Sequence, residues 1–323
     1  MEKVNSAILL PESLTAAGDL LRDPSTAVLA GGTDIIPLIK YGARRPATLL
    51  SLHKLDSLRS IEATEAGVTI GSVATLADVA GHPAIRRHFP AVAQAALSVA
   101  TPAIRNTGTV GGNLLQDKRC LYYNQTSFWR ESVAPCFKLG GGVCHQIPNS
   151  KTCRAIYYAD MTPALLAYDA QAEVYRGEKT ICSLEEVIGR HTADTGLGGI
   201  LTAVFLPYPQ EGTQAAFVKM GVRAAIDFGV MNAALRYSPG GTDEPPQFRC
   251  LVGAMAPGII VMQETAQAFF ATGSQEGDIL EQARRELAAK SLLIRETTVQ
   301  PQVKKMAAAA MTAALADFLP RCR

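Results

Sequence analysis

The amino-acid sequence predicts an α+β protein in which helices and short strands occur in every part of the chain. The first 55 residues alternate strand-like and helix-like segments, and residues 56–210 mix short strands with alanine-rich helices. The last third has strands followed by two long helices. These patterns predict three domains: a small α/β subdomain (1–55), a larger mixed subdomain (56–210) that contains an insertion at about residues 115–155, and an α+β domain (211–323).

In the first domain, the apolar spacing of Glu12–Leu21 predicts a helix. Ala27–Leu29 is a short strand that runs into a pair of glycines, Ile35–Ile39 is a helix, and Ala47–Leu52 is a second strand. The order strand, glycine turn, helix, strand is typical of a parallel pair.

The second and third domains show the same two hydrophobic periodicities, that of helices and that of strands. Their predicted elements are a strand at Val68–Ile70, a helix at Leu76–Ala80 capped by Thr75, a helix at Pro90–Ala100, a helix at Met161–Tyr168, a strand at Ala172–Tyr175, a helix opened by a Ser183–Glu186 capping box, strands at Leu201–Leu206, Ala215–Val222, Asn232–Tyr237 and Arg249–Ala254, and helices at Gly277–Lys290 and Val303–Leu319. Residues 106–113 are predicted to be a glycine-rich loop, and residues 114–153 lack any period. A long irregular insertion in a compact domain is usually functional.

The composition is that of a soluble globular protein. Hydrophobic residues make up 48% of the 323 residues and charged residues 19%, and the net charge is only +2. This balance argues against nucleic acid or an anionic membrane as a partner. The N-terminal apolar run, Ala7–Leu10, is too short for a signal peptide, and no stretch is long enough to span a membrane. We therefore expect a cytoplasmic protein with reduced thiols.

Two paired-glycine segments indicate an anion site. They are Ala30-Gly31-Gly32-Thr33-Asp34 and Thr109-Val110-Gly111-Gly112-Asn113. Backbone N–H groups next to glycine approach a ligand closely and form a nest for a group such as a pyrophosphate. Neither segment is a dinucleotide-fold or Walker sequence, so two ordinary tight turns remain the alternative.

Four of the seven cysteines crowd into the insertion. Cys120, Cys136, Cys144 and Cys153 are separated by 15, 7 and 8 residues. In a reducing compartment, four thiolates indicate a metal centre, either a tetrahedral zinc or an iron–sulfur cluster. The spacing does not choose between them. Nearby aromatic residues are expected to shield the centre, namely Tyr122, Tyr123, Phe128 and Trp129.

The two glycine segments, followed by Asp160 before Met161-Thr162-Pro163, resemble the flavin subunits of the xanthine dehydrogenase and carbon monoxide dehydrogenase family. Residues 218–228 resemble the same family. The insertion narrows the resemblance, because Arg119-Cys120-Leu121-Tyr122-Tyr123 and Cys144-His145 are similar to the β subunits of 4-hydroxybenzoyl-CoA reductases. That resemblance implies a [4Fe–4S] cluster held by Cys120, Cys136, Cys144 and Cys153.

The resemblance also implies an FAD site. The residues that it assigns to FAD are Leu29, Ala30, Gly31, Gly32, Thr33, Asp34, Ile35, Ile36, Thr101, Thr109, Val110, Gly111, Gly112, Asn113, Asp160, Leu201 and Lys219. Two alternatives remain for these residues: Asp160 as a helix N-cap, and structural ion pairs for Lys219 and Asp227.

The implied function is electron relay in a molybdenum-containing oxidoreductase. The expected partners are a large molybdopterin subunit, a small [2Fe–2S] subunit and a ferredoxin-like donor. The expected reaction is the reductive dehydroxylation of 4-hydroxybenzoyl-CoA or a similar aromatic thioester, which is a step in the degradation of aromatic compounds. The alternatives are a flavin subunit of an N-heterocycle or aldehyde dehydrogenase and, from another class, a non-catalytic protein stapled by zinc.

Overall fold

The structure is a computed structural model that describes residues 6–223, 226–241, 244–295 and 300–322. Within these ranges the α-helices are α1 (Leu14–Leu20), α2 (Ile35–Lys40), α3 (Leu76–Gly81), α4 (Pro83–His88), α5 (Pro90–Ser98), α6 (Pro102–Arg105), α7 (Val110–Leu114), α8 (Ser127–Arg130), α9 (Met161–Ala167), α10 (Leu184–Thr192), α11 (Gln263–Phe270), α12 (Glu276–Lys290) and α13 (Pro301–Phe318). The strands are β1 (Ala7–Leu9), β2 (Thr26–Leu29), β3 (Thr48–Ser51), β4 (Ile61–Ala63), β5 (Gly67–Gly71), β6 (Gln171–Tyr175), β7 (Lys179–Ser183), β8 (Ile200–Pro207), β9 (Gln214–Met220), β10 (Met231–Ser238), β11 (Gln247–Gly253) and β12 (Ile260–Val261).

The N-terminal sheet is parallel, as predicted. Its strand order is β1-β3-β2, and both neighbouring pairs run parallel. The predicted succession of strand, glycine turn, helix and strand is therefore confirmed from β2 to β3. Parallel strands place their carboxyl ends at one edge, so the glycines after β2 emerge at that edge.

A five-stranded antiparallel sheet follows, with the order β4-β5-β8-β6-β7. Helices α3, α5 and α9 share its core, whose buried side chains include Val68, Ile70, Leu165 and Val204. Thr75 caps α3 through a complete capping box. Ser183 caps α10 through the N–H of Glu186, which is the first half of the predicted box.

The C-terminal sheet is antiparallel and has the order β12-β11-β10-β9. Helices α11, α12 and α13 pack with it around a second core, in which Leu235, Val252 and Leu315 are buried. Each of the three sheets falls within one predicted domain, while the domain boundaries themselves stay a prediction.

Two expectations need correction. The second glycine segment is not a loop: Thr109 caps α7, and its hydroxyl accepts the N–H of Gly112 at 3.1 Å. The hydroxyl cap lets a helix begin at two glycines, which the composition alone did not indicate. Eight short elements of the described chain were also not predicted, namely β1, β4, β7, β12, α4, α6, α8 and α11, because segments of two to eight residues carry too few residues to establish a period.

The insertion is mostly irregular, as predicted. Its only helical parts among the described residues are α8 and one 3₁₀ turn at Phe137–Leu139. Arg119 and Ile156 exchange two backbone hydrogen bonds of 2.8 Å, so the two ends of the insertion are joined. Tyr123 and Ile156 bury themselves in a small core that also includes Leu38 and Ala254.

In the ranges described, no helix is both long and apolar enough to cross a bilayer.

Candidate functional site

The two glycine segments meet directly. A Cβ on Gly31 would lie 2.0 Å from the carbonyl oxygen of Thr107, just before the second segment. A Cβ on Gly111 would lie 2.9 Å from the carbonyl oxygen of Ser72, and Gly32 has a φ of +73°. Only glycine allows both the close approach and the positive φ, so the backbones of the two segments line one cleft.

The cleft has two lobes. The first cavity, of about 470 Å³, is lined by Pro24, Ser25, Thr26, Ala27, Val28, Ala30, Gly31, Gly32, Thr33, Asp34, Ile35, Leu38, Arg44, Arg45, Pro46, Leu52, Ser72, Thr109, Gly111, Gly112, Leu115, Asp117, His191, Gly199, Ile200 and Leu201. It runs from the N-terminal sheet to the second sheet. Burial lowers the pKa of His191 in its wall, and the ring nitrogen Nε2 lies 2.8 Å from the carbonyl oxygen of Gln116.

The second cavity, of about 380 Å³, is lined by Thr33, Asp34, Pro37, Leu76, Val99, Ala100, Thr101, Ile104, Gly108, Thr109, Gly112, Asn113, Gln116, Arg119, Tyr158, Asp160, Lys219, Arg223, Ile226, Asp227 and Phe228. It shares Thr33, Asp34, Thr109 and Gly112 with the first cavity. The glycine segments therefore form the wall common to both lobes.

Asp160 is the centre of a buried polar network in the second cavity. Its carboxylate accepts Lys219 Nζ at 2.7 Å and Asn232 Nδ2 at 2.7 Å. Lys219 Nζ also donates to the carbonyl of Ser98 at 2.8 Å. Burial raises the pKa of Asp160, although Lys219 and Asn232 act to lower it. Asp160 occupies the N-cap position of α9, as the alternative predicted, but its side chain makes no capping hydrogen bond to that helix.

Among the described residues, three carboxylate–cation pairs line this cavity. Besides Asp160–Lys219, Arg119 Nη2 donates to Asp34 Oδ1 at 2.6 Å, and Arg223 pairs with Asp227 at 3.6 Å. Lys219 and Asp227 therefore both form ion pairs, as the structural alternative predicted. Lys219 pairs with Asp160, and Asp227 pairs with Arg223.

The predicted site residues are gathered around the cleft with three exceptions. Those lining a cavity are Ala30, Gly31, Gly32, Thr33, Asp34, Ile35, Thr101, Thr109, Gly111, Gly112, Asn113, Asp160, Leu201 and Lys219. Leu29, Ile36 and Val110 line neither cavity, and Val110 lies in the core of the second sheet. Ser72, Arg119 and Asn232 were not predicted to belong to the cleft. Ser72 and Asn232 lie in neither the glycine nor the cysteine pattern, and Arg119 was assigned only to the cysteine segment.

The cleft suits an elongated dinucleotide such as FAD. Both lobes have volumes in the range typical of cofactor sites, and the first glycine segment lies in the wall between them, where backbone amides can approach a pyrophosphate. Each lobe also contains a buried polar atom without a hydrogen-bond partner among the described residues: Ser72 Oγ in the first and Arg119 Nε in the second. Buried orphan donors normally have a ligand or water as partner.

All four cysteines of the insertion line one separate cavity of about 20 Å³, together with Tyr122, Phe137, Lys138, Val143, His145, Gln146, Arg154 and Ala155. We call it the cysteine cavity. Cys120 Sγ accepts the N–H of Tyr123 at 3.3 Å, and Cys153 Sγ accepts the N–H of Ala155 at 3.5 Å. Burial raises the pKa of Cys120 to about 12. In the described ranges no group of three or more His, Cys, Asp or Glu side chains closes around a single metal ion.

The shielding prediction holds only in part. Tyr122 lines the cysteine cavity and packs against Trp129 at a ring distance of 5.7 Å. The prediction for Phe128 is wrong, because that side chain is 86% exposed on α8. His145 makes a hydrogen bond to the carbonyl of Ala134 at 2.7 Å.

A charged network lies between the cysteine cavity and the first cavity. Lys138 is ion-paired with Asp117 and, at 3.1 Å, with Asp194. Asp117 also accepts Tyr123 Oη at 2.7 Å and Arg44 at 3.1 Å. Burial acts to raise the pKa of Asp117, but Lys138 and Arg44 hold it below its usual value.

Comparison with known proteins identifies the family. Residues 3–209 match the family described as FAD binding domain in molybdopterin dehydrogenase. The chain is 30% identical over 247 residues to the aldehyde oxidoreductase FAD-binding subunit PaoB of Escherichia coli, covering 70% of this chain and 75% of that one. It is 29% identical over 266 residues to the putative xanthine dehydrogenase FAD-binding subunit XdhB of the same organism, covering 79% and 76%.

The fold has a solved counterpart. A chain of carbon monoxide dehydrogenase from Hydrogenophaga pseudoflava superposes with a TM-score of 0.77 and 18% identity, covering all of both chains. This likeness confirms the predicted α+β class. The chain therefore belongs to the family of FAD-binding subunits of molybdopterin dehydrogenases, of the xanthine and carbon monoxide dehydrogenase type.

Proposed function

We propose that this chain carries electrons between FAD, bound in the two-lobed cleft, and a [4Fe–4S] cluster held by Cys120, Cys136, Cys144 and Cys153. The observation that carries the proposal is that these four cysteines, spread over 34 residues of the insertion, line one cavity beside the FAD cleft. We further propose the domain division 1–55, 56–210 and 211–323.

For FAD, we assign the pyrophosphate to the amides of Gly31 and Gly32, because both glycines line the first cavity. Gly111 and Gly112 donate their own N–H groups to the carbonyl of Ser72 and the hydroxyl of Thr109, so they contribute the close backbone approach. The flavin belongs in the second cavity, where Asp160 and Lys219 are the polar residues that the family resemblance indicates. When bound, FAD exchanges electrons singly or in pairs, whereas an iron–sulfur cluster exchanges one at a time. The protein positions both groups and tunes their potentials through charge and burial.

Two features favour a thiolate-held centre in the insertion. The backbone N–H bonds to Cys120 and Cys153 stabilise anionic sulfur. Lys138 lines the same cavity and supplies positive charge. A buried thiol such as Cys120 releases its proton when a metal cation takes its place. Zinc remains the rival for this site, and the resemblance of the insertion to 4-hydroxybenzoyl-CoA reductase favours iron.

For the complete enzyme, the same resemblance supports reductive dehydroxylation. Two electrons and two protons convert 4-hydroxybenzoyl-CoA, or a similar aromatic thioester, to the dehydroxylated thioester and water. The partners would be a molybdopterin-containing large subunit, a [2Fe–2S] small subunit and a ferredoxin-like donor.

A second candidate is a dehydrogenase in which electrons leave the substrate. Its support is the names of the relatives, which describe an aldehyde oxidoreductase, xanthine dehydrogenase and nicotinate dehydrogenase. The two candidates share the FAD site and differ in the direction of electron flow.

The metal assignment is tested by purifying the full chain without oxygen and measuring iron, zinc and FAD per chain. We expect four irons, a flavin band and a broad brown absorption. Cys136→Ser should lose the iron and keep FAD. Cys182→Ser should keep both, because Cys182 lies on β7, outside the cysteine cavity. Zinc in place of iron, or unchanged iron in Cys136→Ser, would show that the assignment is wrong.

The reaction is tested on the assembled complex. With a reduced low-potential donor, we expect benzoyl-CoA from 4-hydroxybenzoyl-CoA. If the complex instead reduces an electron acceptor with an aldehyde or N-heterocycle and leaves the thioester unchanged, the dehydrogenase is the correct function.

A further inference from the structure

Arg119 connects the two proposed redox sites along the chain. It directly precedes Cys120, and its side chain lines the second cavity of the cleft. Its backbone is fixed by the two 2.8 Å hydrogen bonds to Ile156 at the other end of the insertion. The residue that begins the cysteine segment therefore also forms part of the wall of the flavin lobe.

The guanidinium of Arg119 is held on two sides. Nη2 donates to Asp34 Oδ1 at 2.6 Å, and Cζ lies 4.9 Å from the ring centroid of Phe228. The other oxygen of Asp34 accepts the backbone N–H of Asp117 at 2.9 Å. One carboxylate of the first glycine segment thus fixes both the chain leading into Cys120 and the orientation of the guanidinium.

One donor of this guanidinium is unused. Arg119 Nε is buried and has no hydrogen-bond partner among the described residues. A buried donor left unpaired destabilises the protein, and more so when it belongs to a charged group. A guanidinium has only N–H donors and no acceptor, so this N–H can be satisfied only by an acceptor atom.

The other cations of the cavity are already engaged. Lys219 donates to Asp160 and to the carbonyl of Ser98, and Arg223 pairs with Asp227 and donates to the carbonyl of Ile226 at 2.7 Å. Arg119 also has its carboxylate, Asp34, but retains a free N–H in the wall of the cavity. An acceptor atom on a ligand is the partner that this N–H lacks.

We propose that Arg119 is a contact residue for the flavin end of FAD, donating from Nε to an acceptor of the ring system. The inference rests on the proposed function, since it requires FAD in the cleft. A fixed positive charge stabilises the more electron-rich form of the ring, so Arg119 raises the tendency of bound FAD to accept electrons. Because Arg119 directly precedes Cys120, the residue that tunes the reduction potential of FAD is also the first residue of the cysteine segment.

The test compares the full chain with Arg119→Gln, Arg119→Lys and Arg130→Gln. Arg130 is the matched control: it lies in the same insertion and binds the carbonyls of Gln125 and Tyr41, but it lines none of the three cavities. The readout is the preference for reduced over oxidised FAD, measured from the midpoint potential of the bound flavin. Iron content and unfolding temperature are measured in parallel.

We expect Arg119→Gln to weaken the preference for reduced FAD about tenfold, which is about 30 mV for a two-electron couple. Arg119→Lys, which keeps the charge, should retain most of the wild-type potential, and Arg130→Gln all of it. Should Arg119→Gln bind FAD too weakly for potentiometry, a loss of FAD affinity that Arg130→Gln does not share supports the contact.

Two results would overturn the inference alone: a flavin potential and affinity in Arg119→Gln equal to wild type, or an equal shift in Arg130→Gln, which would trace the effect to a loosened insertion. Wild-type protein that takes up no FAD would overturn the proposed function, and this inference with it.

Discussion

Gly31 has no side chain, and its place in the structure depends on that. The carbonyl oxygen of Thr107 occupies the space where a Cβ would be, at 2.0 Å from its ideal position. The two glycine segments can therefore share one wall of the cleft. An added methyl group must push one backbone away from the other, because the nearest atoms all belong to the backbone of Thr107 and Gly108 rather than to a flexible side chain.

For this reason Gly31→Ala should weaken FAD binding at least tenfold and destabilise the fold by about 1–3 kcal/mol, as overpacking does. Gly189→Ala is the control. Gly189 lies on an exposed face of α10 with no atom within 4 Å of its would-be Cβ, so the change should be neutral or stabilise by up to about 1 kcal/mol. FAD titration and chemical denaturation measure both effects. Unchanged FAD affinity in Gly31→Ala would show that the close contact at Gly31 does not shape the FAD site.

The sequence revealed some site residues and not others, for a physical reason. The glycine pairs and the four cysteines are patterns within single segments, and the structure places them around the cleft and the cysteine cavity as a set. Asn232 and Arg119 act through partners 72 and 85 residues away. No local period encodes such a pairing, so only the assembled fold reveals it.

At the scale of elements, α11 shows how a helix can begin without a cap of its own. The residue before it, Met262, has no side chain able to accept a hydrogen bond from the first turn. Glu286 of α12 supplies the carboxylate instead, accepting the N–H groups of Glu264 at 3.1 Å and Thr265 at 2.8 Å. The missing local signal explains why α11 was not predicted, whereas α12, with a capping box of its own, was.

Glu286→Gln should therefore destabilise the protein by about 1–3 kcal/mol, because a buried charged acceptor at a helix N-terminus is lost. Glu281→Gln, on the same helix, should cost at most about 0.5 kcal/mol, because Glu281 is half exposed and its partners among the described residues are Arg284 and Arg285. Denaturant unfolding of both variants gives the comparison. Equal effects would mean that Glu286 does not act as the cap.

The pH dependence of this difference has a definite sign. Burial acts to raise the pKa of Glu286, but Lys290, Thr265 and the N–H of Glu264 hold it below its usual value of 4.5. A pKa that is lower in the folded state gives stability that is complete above about pH 4.5 and is lost as the pH falls through the folded value. The gap between wild type and Glu286→Gln should therefore shrink below about pH 4.5, and a gap that widens there would contradict the network.

At the scale of the whole molecule, the cleft is assembled from all three sheets. The first glycine segment follows β2, the second opens α7 beside the five-stranded sheet, and Lys219 lies on β9 of the C-terminal sheet. Element types and their order could be predicted from periodicity, and the parallel N-terminal sheet with them. The meeting of the three sheets at one cleft could not, because it depends on packing between residues far apart in the chain.

A ligand that bridges three sheets stabilises their assembly. If FAD binds only the folded chain, a concentration one hundred times its Kd stabilises the protein by about 2.7 kcal/mol. The thermal unfolding of flavin-depleted protein should therefore shift upward with added FAD, and Gly31→Ala should show a smaller shift at the same concentration. A shift of the same size in the variant would mean that the stabilisation does not come from this cleft.

The most direct measurement is an equilibrium titration of flavin-depleted, correctly folded full-length chain with FAD, followed by the quenching of flavin fluorescence. We expect saturation at one FAD per chain, with AMP competing for the first cavity. Riboflavin alone should bind far more weakly than FAD, because it lacks the pyrophosphate that the glycine amides would hold. Folded protein that leaves FAD unbound at every concentration, or that binds riboflavin as tightly as FAD, would contradict this expectation.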